Sequence, residues 1–157
     1  MQKITPCLWF DRQAEVAARF YVSVFKNSEM DAITRYGEGA PLPKGTVLTV
    51  RFRLDGQEFL ALNGGPMFQF TEAVSLIVNC ETQEEVDRMW EKLSEGGDKV
   101  QCGWLKDKYG LSWQVVPTVI AKMLTDPDPA RVNRVMQAVL QMKKLDIKKL
   151  EEAYRGQ

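Results

Sequence analysis

The segments LDGQEFLALNGGP (residues 54–66) and DKYGLSWQVVP (residues 107–117) have the same layout and match at an offset of 54 residues. Each carries a glycine near its start, and a β-rich run follows that glycine. A glycine turn leading into such a run is typical of a strand in a hairpin. The match therefore predicts that one structural unit occurs twice in the chain.

A predicted strand and an amphipathic helix stand upstream of each segment. The strands are ITPCLWF (residues 4–10) and AVSLIVNC (residues 73–80), and apolar residues at three-and-four spacing follow both. The helices match at an offset of 70, which pairs Glu15, Val16 and Phe20 with Glu85, Val86 and Trp90. A longer strand–loop–strand segment in the first copy accounts for the change of offset from 70 to 54.

Further strands complete the first unit. They are DAITRY (residues 31–36), TVLTVRFRL (residues 46–54) and EFLAL (residues 58–62), which read as three antiparallel strands. The sequence thus predicts an α+β fold with two βαβββ units, residues 1–66 and 67–117, in a single domain. Residues 118–157 are predicted to form a helical tail.

Helix starts are predicted from residues whose side chains can accept hydrogen bonds from the first turn. Asp11, Asp128 and Asp146 each precede a helical pattern, while Thr82 and Glu85 have the spacing of a capping box. The tail carries an apolar stripe of Val132, Val135, Met136, Val139 and Leu140. Such a stripe more often packs on its own domain than on a partner helix, although in a small protein it could cover a neighbouring subunit.

Composition favours a small ligand over a large polyanionic partner. The 21 Lys and Arg residues balance the 21 Asp and Glu residues, so no basic excess points to nucleic acid or an anionic membrane. The apolar runs are far shorter than the roughly 20 residues that a membrane-spanning helix needs. The N-terminus MQKITPCLWFD also lacks the pattern of a signal peptide. We therefore expect a cytoplasmic protein.

Cysteine and histidine usage restricts the available chemistry. Cys7, Cys80 and Cys102 are odd in number and have no CxxC spacing, so neither a disulfide framework nor a thiolate zinc site is predicted. The chain has no histidine, the commonest general base near neutral pH and a favoured ligand for transition metals. Any metal site would have to be built from carboxylates and amides.

Several long segments carry a family resemblance. They are FDRQAEVAARFYVSVF (residues 10–25), residues 54–97, QCGWLKDKYGLSWQVVP (residues 101–117) and VMQAVLQMKKLDIKKLEEAY (residues 135–154). These segments resemble the PhnB-like group, labelled 3-demethylubiquinone-9 3-methyltransferase-like, of the vicinal oxygen chelate superfamily. The resemblance implies the glyoxalase/bleomycin-resistance fold, in which two βαβββ units form a curled mixed sheet. It also implies a homodimer, because members of the superfamily commonly pair units between chains.

In the metal enzymes of this superfamily, His or Glu ligands come from the first and last strand of each unit. On this sequence the resemblance places those positions at Thr5, Leu60, Ser75 and Gln114. None of these side chains is charged, so they would offset the dehydration of a cation poorly. We therefore expect neither a metal nor another cofactor.

A candidate binding face follows if Thr5, Ser75 and Gln114 point into the cavity, because side chains alternate along strands. The full set of candidates is Thr5, Cys7, Trp9, Glu58, Leu60, Ser75, Ile77, Gln114 and, at the cavity mouth, Trp104. This face is aromatic and polar with one carboxylate, which suits an amphipathic organic molecule. The alternative is that these side chains merely fill the groove, and an inert thiol is favoured for Cys7 because no histidine exists to activate it.

Two functions from different classes follow. The first is a metal-independent protein that binds a small organic molecule. The alternative is an enzyme, either a lyase or isomerase of the same superfamily or the methyltransferase that the family label suggests. No complete catalytic set is visible in the sequence. The glycine pair in NGGP (residues 63–66) follows a strand and leads to another strand, so we interpret it as a turn and not as a cofactor loop.

Overall fold

The computed structural model describes residues 2–157 and has the predicted α+β architecture. The first repeat comprises β1 (Cys7–Phe10), α1 (Ala14–Val24), β2 (Glu29–Arg35), β3 (Val47–Leu54) and β4 (Gln57–Asn63). The second comprises β5 (Ser75–Cys80), α2 (Gln83–Ser94), β6 (Asp98–Lys99), β7 (Trp104–Lys106) and β8 (Ser112–Pro117). The tail forms α3 (Val119–Leu124), α4 (Pro129–Leu140) and α5 (Ile147–Arg155). The prediction of two βαβββ units followed by helices is confirmed.

The chain divides into two compact units, one ending at Phe70 and the other running from Thr71 to Gln157. Each contains a four-stranded mixed sheet, with strand order β1-β4-β3-β2 in the first and β5-β8-β7-β6 in the second. In both sheets the first and last strands of the repeat pair in parallel, and the remaining pairs are antiparallel. The longest helices within residues 2–157 have 12 residues, and none has the length and hydropathy of a transmembrane helix.

The strand register confirms the internal repeat. Cys7 lies opposite Leu60 in the first sheet, and Ile77 lies opposite Gln114 in the second. The sequence offsets of 70 and 54 convert the first pair into the second. The turn before the last strand repeats as well, because Gly56 and Gly110 both have positive φ, 79° and 90°. Glycine adopts this conformation without the steric cost that a Cβ would add.

In the first unit, α1 covers one face of the sheet. Its buried residues are Ala14, Ala17, Ala18, Tyr21 and Val24. Three of these are alanines, which allow the helix backbone to approach the strands closely. The Tyr21 ring stacks on Phe52, with ring centroids 6.3 Å apart, and Phe52 stacks on Phe59 at 5.5 Å. This aromatic core fixes which face of β3 and β4 is turned away from the helix.

The start of α1 differs from the prediction. The residue before the helix is Gln13 and not Asp11, and no nearby side chain accepts from the first turn. Instead, Asn63 at the end of β4 accepts a hydrogen bond from the Ala14 backbone N–H at 2.9 Å and donates to the Val47 carbonyl at 3.0 Å. A residue that is distant in sequence therefore performs the cap, which a local pattern cannot reveal.

The predicted cap of α2 is confirmed. The Thr82 hydroxyl accepts from the Glu85 backbone N–H at 3.2 Å, and the Glu85 carboxylate accepts from the Glu81 N–H at 2.8 Å. Below this cap, α2 buries Val86, Met89, Trp90 and Leu93. The helix contacts β5, β7 and β8, so it covers one face of the second sheet.

The tail packs within the second unit. Its buried core comprises Ile120, Met123, Val135, Leu145 and Leu150. The caps predicted at Asp128 and Asp146 are confirmed, with hydrogen bonds from Ala130 N–H at 3.0 Å and Lys149 N–H at 3.1 Å. The predicted stripe on α4 is only partly covered, since Met136 and Leu140 remain 37% and 48% exposed.

One side chain of α2 holds the segment between α4 and α5. Gln83 accepts a hydrogen bond from the Ile147 backbone N–H at 2.7 Å and donates to the Leu145 carbonyl at 3.1 Å. Beside it, Lys144 forms an ion pair with Asp87 at 2.9 Å. The backbone N–H groups of Cys102 and Gly103 also donate to this segment, each at 2.8 Å.

We expect Gln83→Ala to lower the free energy of unfolding by about 1–2 kcal/mol, because it leaves two partly buried backbone groups without their partner. Urea unfolding measures the loss, and amide hydrogen exchange should accelerate at Ile147. The matched control is Gln137→Ala on the exposed side of α4. Equal effects of the two variants would contradict this role for Gln83.

Candidate functional site

The first sheet has an open face on the side away from α1. Along β1 and β4, buried residues alternate with partly exposed ones, as predicted. The side chains on the open side are Cys7, Trp9, Glu58, Leu60 and Leu62. Four of the predicted candidates therefore share one face of this sheet: Cys7, Trp9, Glu58 and Leu60.

Thr5 was predicted on the first strand, but β1 begins only at Cys7. Pro6, which has no N–H to donate to a ladder, separates Thr5 from the strand and accepts a hydrogen bond from the Leu60 N–H at 2.9 Å. Thr5 is partly buried beside the sheet. It is thus near the candidate face without holding a strand position.

Glu58 is held by the N-terminal segment. Its carboxylate accepts from the Gln2 backbone N–H at 3.3 Å, and its backbone N–H and carbonyl bond the Gln2 side-chain amide at 3.2 and 2.9 Å. These contacts give the single carboxylate of the predicted site a structural partner. They favour the interpretation of Glu58 as a strand-end residue over that of a general base.

Trp9 is held in place by the turn after β4. Its indole N–H donates to the Gly65 carbonyl at 2.9 Å, and its ring meets Phe68 edge-on with centroids 4.9 Å apart. Gly64 lies directly against the ring, since a Cβ at that position would come within 2.3 Å of an indole carbon. With its N–H already bonded, Trp9 offers a ligand an apolar surface.

Cys7 is exposed, yet partial desolvation raises the pKa of its thiol. A raised pKa keeps the thiol protonated at neutral pH and lowers its nucleophilicity. This agrees with the prediction of an inert cysteine.

Arg51 is a residue of the open face that the sequence interpretation missed. Along β3, Val50 and Phe52 are fully buried on the α1 side, so Arg51 lies on the opposite side. Arg53, two residues on, forms ion pairs with Glu29 and with Asp31, the latter at 3.2 Å. Arg51 forms none with any residue from 2 to 157. The alternation of apolar and polar residues in TVRFRL could have placed Arg51 on this face.

The second sheet brings the remaining candidates into one group. Ile77, Gln114 and Trp104 lie opposite one another on three adjacent strands. The Gln114 side-chain amide donates to the Ser75 hydroxyl at 2.9 Å. Ile77 is 56% exposed, and the other three are partly buried. These four side chains are uncharged and include one indole and one amide–hydroxyl pair.

Asp107 anchors the turn that leads into β8. The residue is 2% exposed, and its carboxylate accepts from the backbone N–H groups of Tyr109 and Leu111 at 2.8 and 3.1 Å. It also accepts from the Trp113 indole N–H at 2.8 Å. Because Trp113 and Gln114 are neighbours on β8, Asp107 helps to orient the strand that presents Gln114.

The sequence pattern of the 3-demethylubiquinone-9 3-methyltransferase family matches residues 2–116, nearly three-quarters of the chain. The chain belongs to this family. No curated protein matches it. The tail helices begin at Val119 and so lie beyond the family match.

Solved structures agree with this assignment. A PhnB protein from Bacillus cereus that carries the same methyltransferase label is 43% identical, with a TM-score of 0.69; the match covers 74% of this chain and 100% of that one. Protein PA1353 from Pseudomonas aeruginosa is 20% identical over 74% of this chain and 98% of its own, with a TM-score of 0.62. The fosfomycin resistance protein FosX from Listeria monocytogenes is 15% identical over 80% and 98%, with a TM-score of 0.58. The two more distant structures support the glyoxalase/bleomycin-resistance fold.

The resemblance predicts metal-ligand positions at Thr5, Leu60, Ser75 and Gln114, and the side chains found there do not fit a divalent metal. Leu60 has no donor atom, and Thr5 lies outside the strand. Ser75 and Gln114 bond each other, and both are neutral. Nor do His, Cys, Asp and Glu gather in groups of three anywhere along residues 2–157. Without a charged ligand, a hard cation would lose more hydration energy than these oxygens return.

The family label implies S-adenosylmethionine, and the glycine pair after β4 does not fit a loop that would hold it. The backbone N–H groups of Gly64 and Gly65 donate to the carbonyls of Phe10 and Asp11 at 2.9 and 3.2 Å. The Gly65 carbonyl accepts from Trp9. Since these groups are bonded within the chain, they have no free donors for a cofactor, and the pair serves as a packed turn.

Proposed function

We propose that this member of the family is a metal-independent binding protein for a small, amphipathic organic molecule. The observation that carries the proposal is the hydrogen bond between Gln114 and Ser75. The resemblance predicts metal-ligand positions at these two residues, and in this chain their side chains bond each other. A glutamine retains the shape of a glutamate but not its charge, so it suits polar organic groups better than a cation.

The exposed side chains of the two sheets support a ligand that is partly apolar. Trp9, Leu60 and Leu62 contribute apolar surface in the first unit, and Ile77 and Trp104 do so in the second. Small-molecule sites combine such surface with a few polar groups that set orientation. We further propose that the protein is cytoplasmic, which its free cysteines support. We also propose that it is a homodimer, because members of the superfamily commonly pair units between chains.

Native mass spectrometry of the protein as purified, without added metal, tests this function. We expect a dimer that contains no divalent metal and carries an additional small organic mass. Denaturing the same sample should release that mass. Stoichiometric divalent metal that is required for turnover would refute the proposal.

Thermal unfolding separates binding from the enzymatic alternative. A ligand that binds only the folded state at 100 times its Kd stabilises it by about 2.7 kcal/mol. We expect no such stabilisation with Mg²⁺, Mn²⁺, Zn²⁺ or S-adenosylmethionine. A saturable increase in Tm with S-adenosylmethionine would instead favour the methyltransferase.

A further inference from the structure

Arg51 lies in the middle of the open face of the first sheet with neutral residues on both sides. Its partner on β4 is Leu60, and its partner on β2 is Ala32. Residues paired across strands have Cβ atoms about 5 Å apart, so these two are the nearest cross-strand neighbours of the Arg51 stem. Arg51 is partly buried, and both of these neighbours are apolar.

The acidic side chains on the same sheet already have partners. Glu29 and Asp31 bind Arg53, and the Glu58 carboxylate binds the Gln2 backbone. Arg51 consequently has no carboxylate within ion-pair distance in the part of the chain that the structure describes. A guanidinium on a partly desolvated surface gains more from an anion than one in open water does, because the lower dielectric strengthens the attraction.

Apolar and aromatic groups lie on the same face of the sheet as Arg51. Leu62 is the next open-side residue after Leu60 on β4, and it pairs with Trp9 on β1. The indole of Trp9 is held by Gly65 and Phe68. An arginine and an immobilised aromatic ring on one face form a combination that can recognise an anionic group attached to an apolar body.

We propose that Arg51 anchors the anionic group of the ligand, so that the natural ligand is an amphipathic organic acid such as a carboxylate or phosphonate. This inference rests on the proposed binding function and specifies its ligand class. The second repeat differs at this point, because Trp104 pairs with Gln114 where Arg51 pairs with Leu60. We therefore assign recognition of the anionic group to the first unit, where Arg51 lies.

A pair of fluorescent dyes tests the assignment without knowledge of the natural ligand. 1-Anilinonaphthalene-8-sulfonate carries a sulfonate, and N-phenyl-1-naphthylamine has the same apolar body without charge. We expect the wild-type protein to bind both dyes. Arg51→Gln should weaken sulfonate-dye binding about tenfold, the effect of losing one charged hydrogen bond, and change binding of the neutral dye less than about twofold.

Arg53→Gln is the matched control, since it removes a positive charge from the same strand and face where acids already neutralise it. We expect it to leave binding of both dyes unchanged. Equal losses in the two variants, or no loss in Arg51→Gln, would overturn the role of Arg51 while leaving the binding function intact. Failure of the folded wild-type protein to bind either dye would overturn the binding function and this inference with it. Circular dichroism and Tm verify that both variants are folded.

Discussion

Replacing Asp107 by alanine is expected to lower the free energy of unfolding by about 3–4 kcal/mol, one of the two largest effects in this chain. The residue is 2% exposed, and its carboxylate accepts from Tyr109 N–H, Leu111 N–H and the Trp113 indole. Alanine leaves these donors without a partner in a site where water is excluded. Urea unfolding followed by tryptophan fluorescence measures the loss.

Two further variants make the Asp107 experiment specific. Asp107→Asn retains one acceptor oxygen, so we expect it to lose about half as much stability as the alanine variant. Asp98→Ala removes an exposed aspartate from the same sheet and should change stability by less than about 0.5 kcal/mol. An Asp107→Ala protein as stable as the wild type would show that the carboxylate does not anchor the turn.

Gly64→Ala is expected to cost about 2–3 kcal/mol, the typical effect of overpacking. The added Cβ would lie 2.3–2.5 Å from three carbons of the Trp9 indole, so the ring has to move. Movement breaks the bond from the indole N–H to Gly65 and the edge contact with Phe68. The same variant should bind N-phenyl-1-naphthylamine more weakly, because Trp9 forms part of the proposed apolar surface.

The matched control for this experiment is Gly37→Ala. No atom lies within 4 Å of the position that a Cβ would take at Gly37, and its φ is not positive. We expect no loss of stability and unchanged dye binding. If Gly64→Ala behaves like Gly37→Ala in both measurements, Trp9 is not held as the structure indicates.

Features that depend on neighbouring residues were predictable from the sequence. The caps at Thr82, Asp128 and Asp146 involve partners at most three residues away, and all three are confirmed. The cap predicted at Asp11 is wrong, because Asn63, which lies 49 residues after Ala14, accepts from the Ala14 N–H instead. A local sequence pattern cannot predict an acceptor that folding brings to the helix from a distant part of the chain.

In the candidate site, too, local patterns were predictable from the sequence and long-range contacts were not. Alternation along β1 and β4 correctly placed Cys7, Trp9 and Leu60 on the open side. Within residues 2–157 Arg51 has no carboxylate partner whereas Arg53 has two, and this difference depends on how β2 lies against β3. The sequence alone does not show which of the two arginines has carboxylate partners.

The sequence by itself determined the repeated βαβββ unit and the absence of charge at Thr5, Leu60, Ser75 and Gln114, because the first follows from spacing and the second from residue type. Only the tertiary structure decided how those side chains are used. Gln114 bonds Ser75 across 39 residues, and Trp9 bonds Gly65 across 56. Such pairs form when chain folding brings distant donors and acceptors within 3 Å, and no periodicity in the sequence encodes that approach.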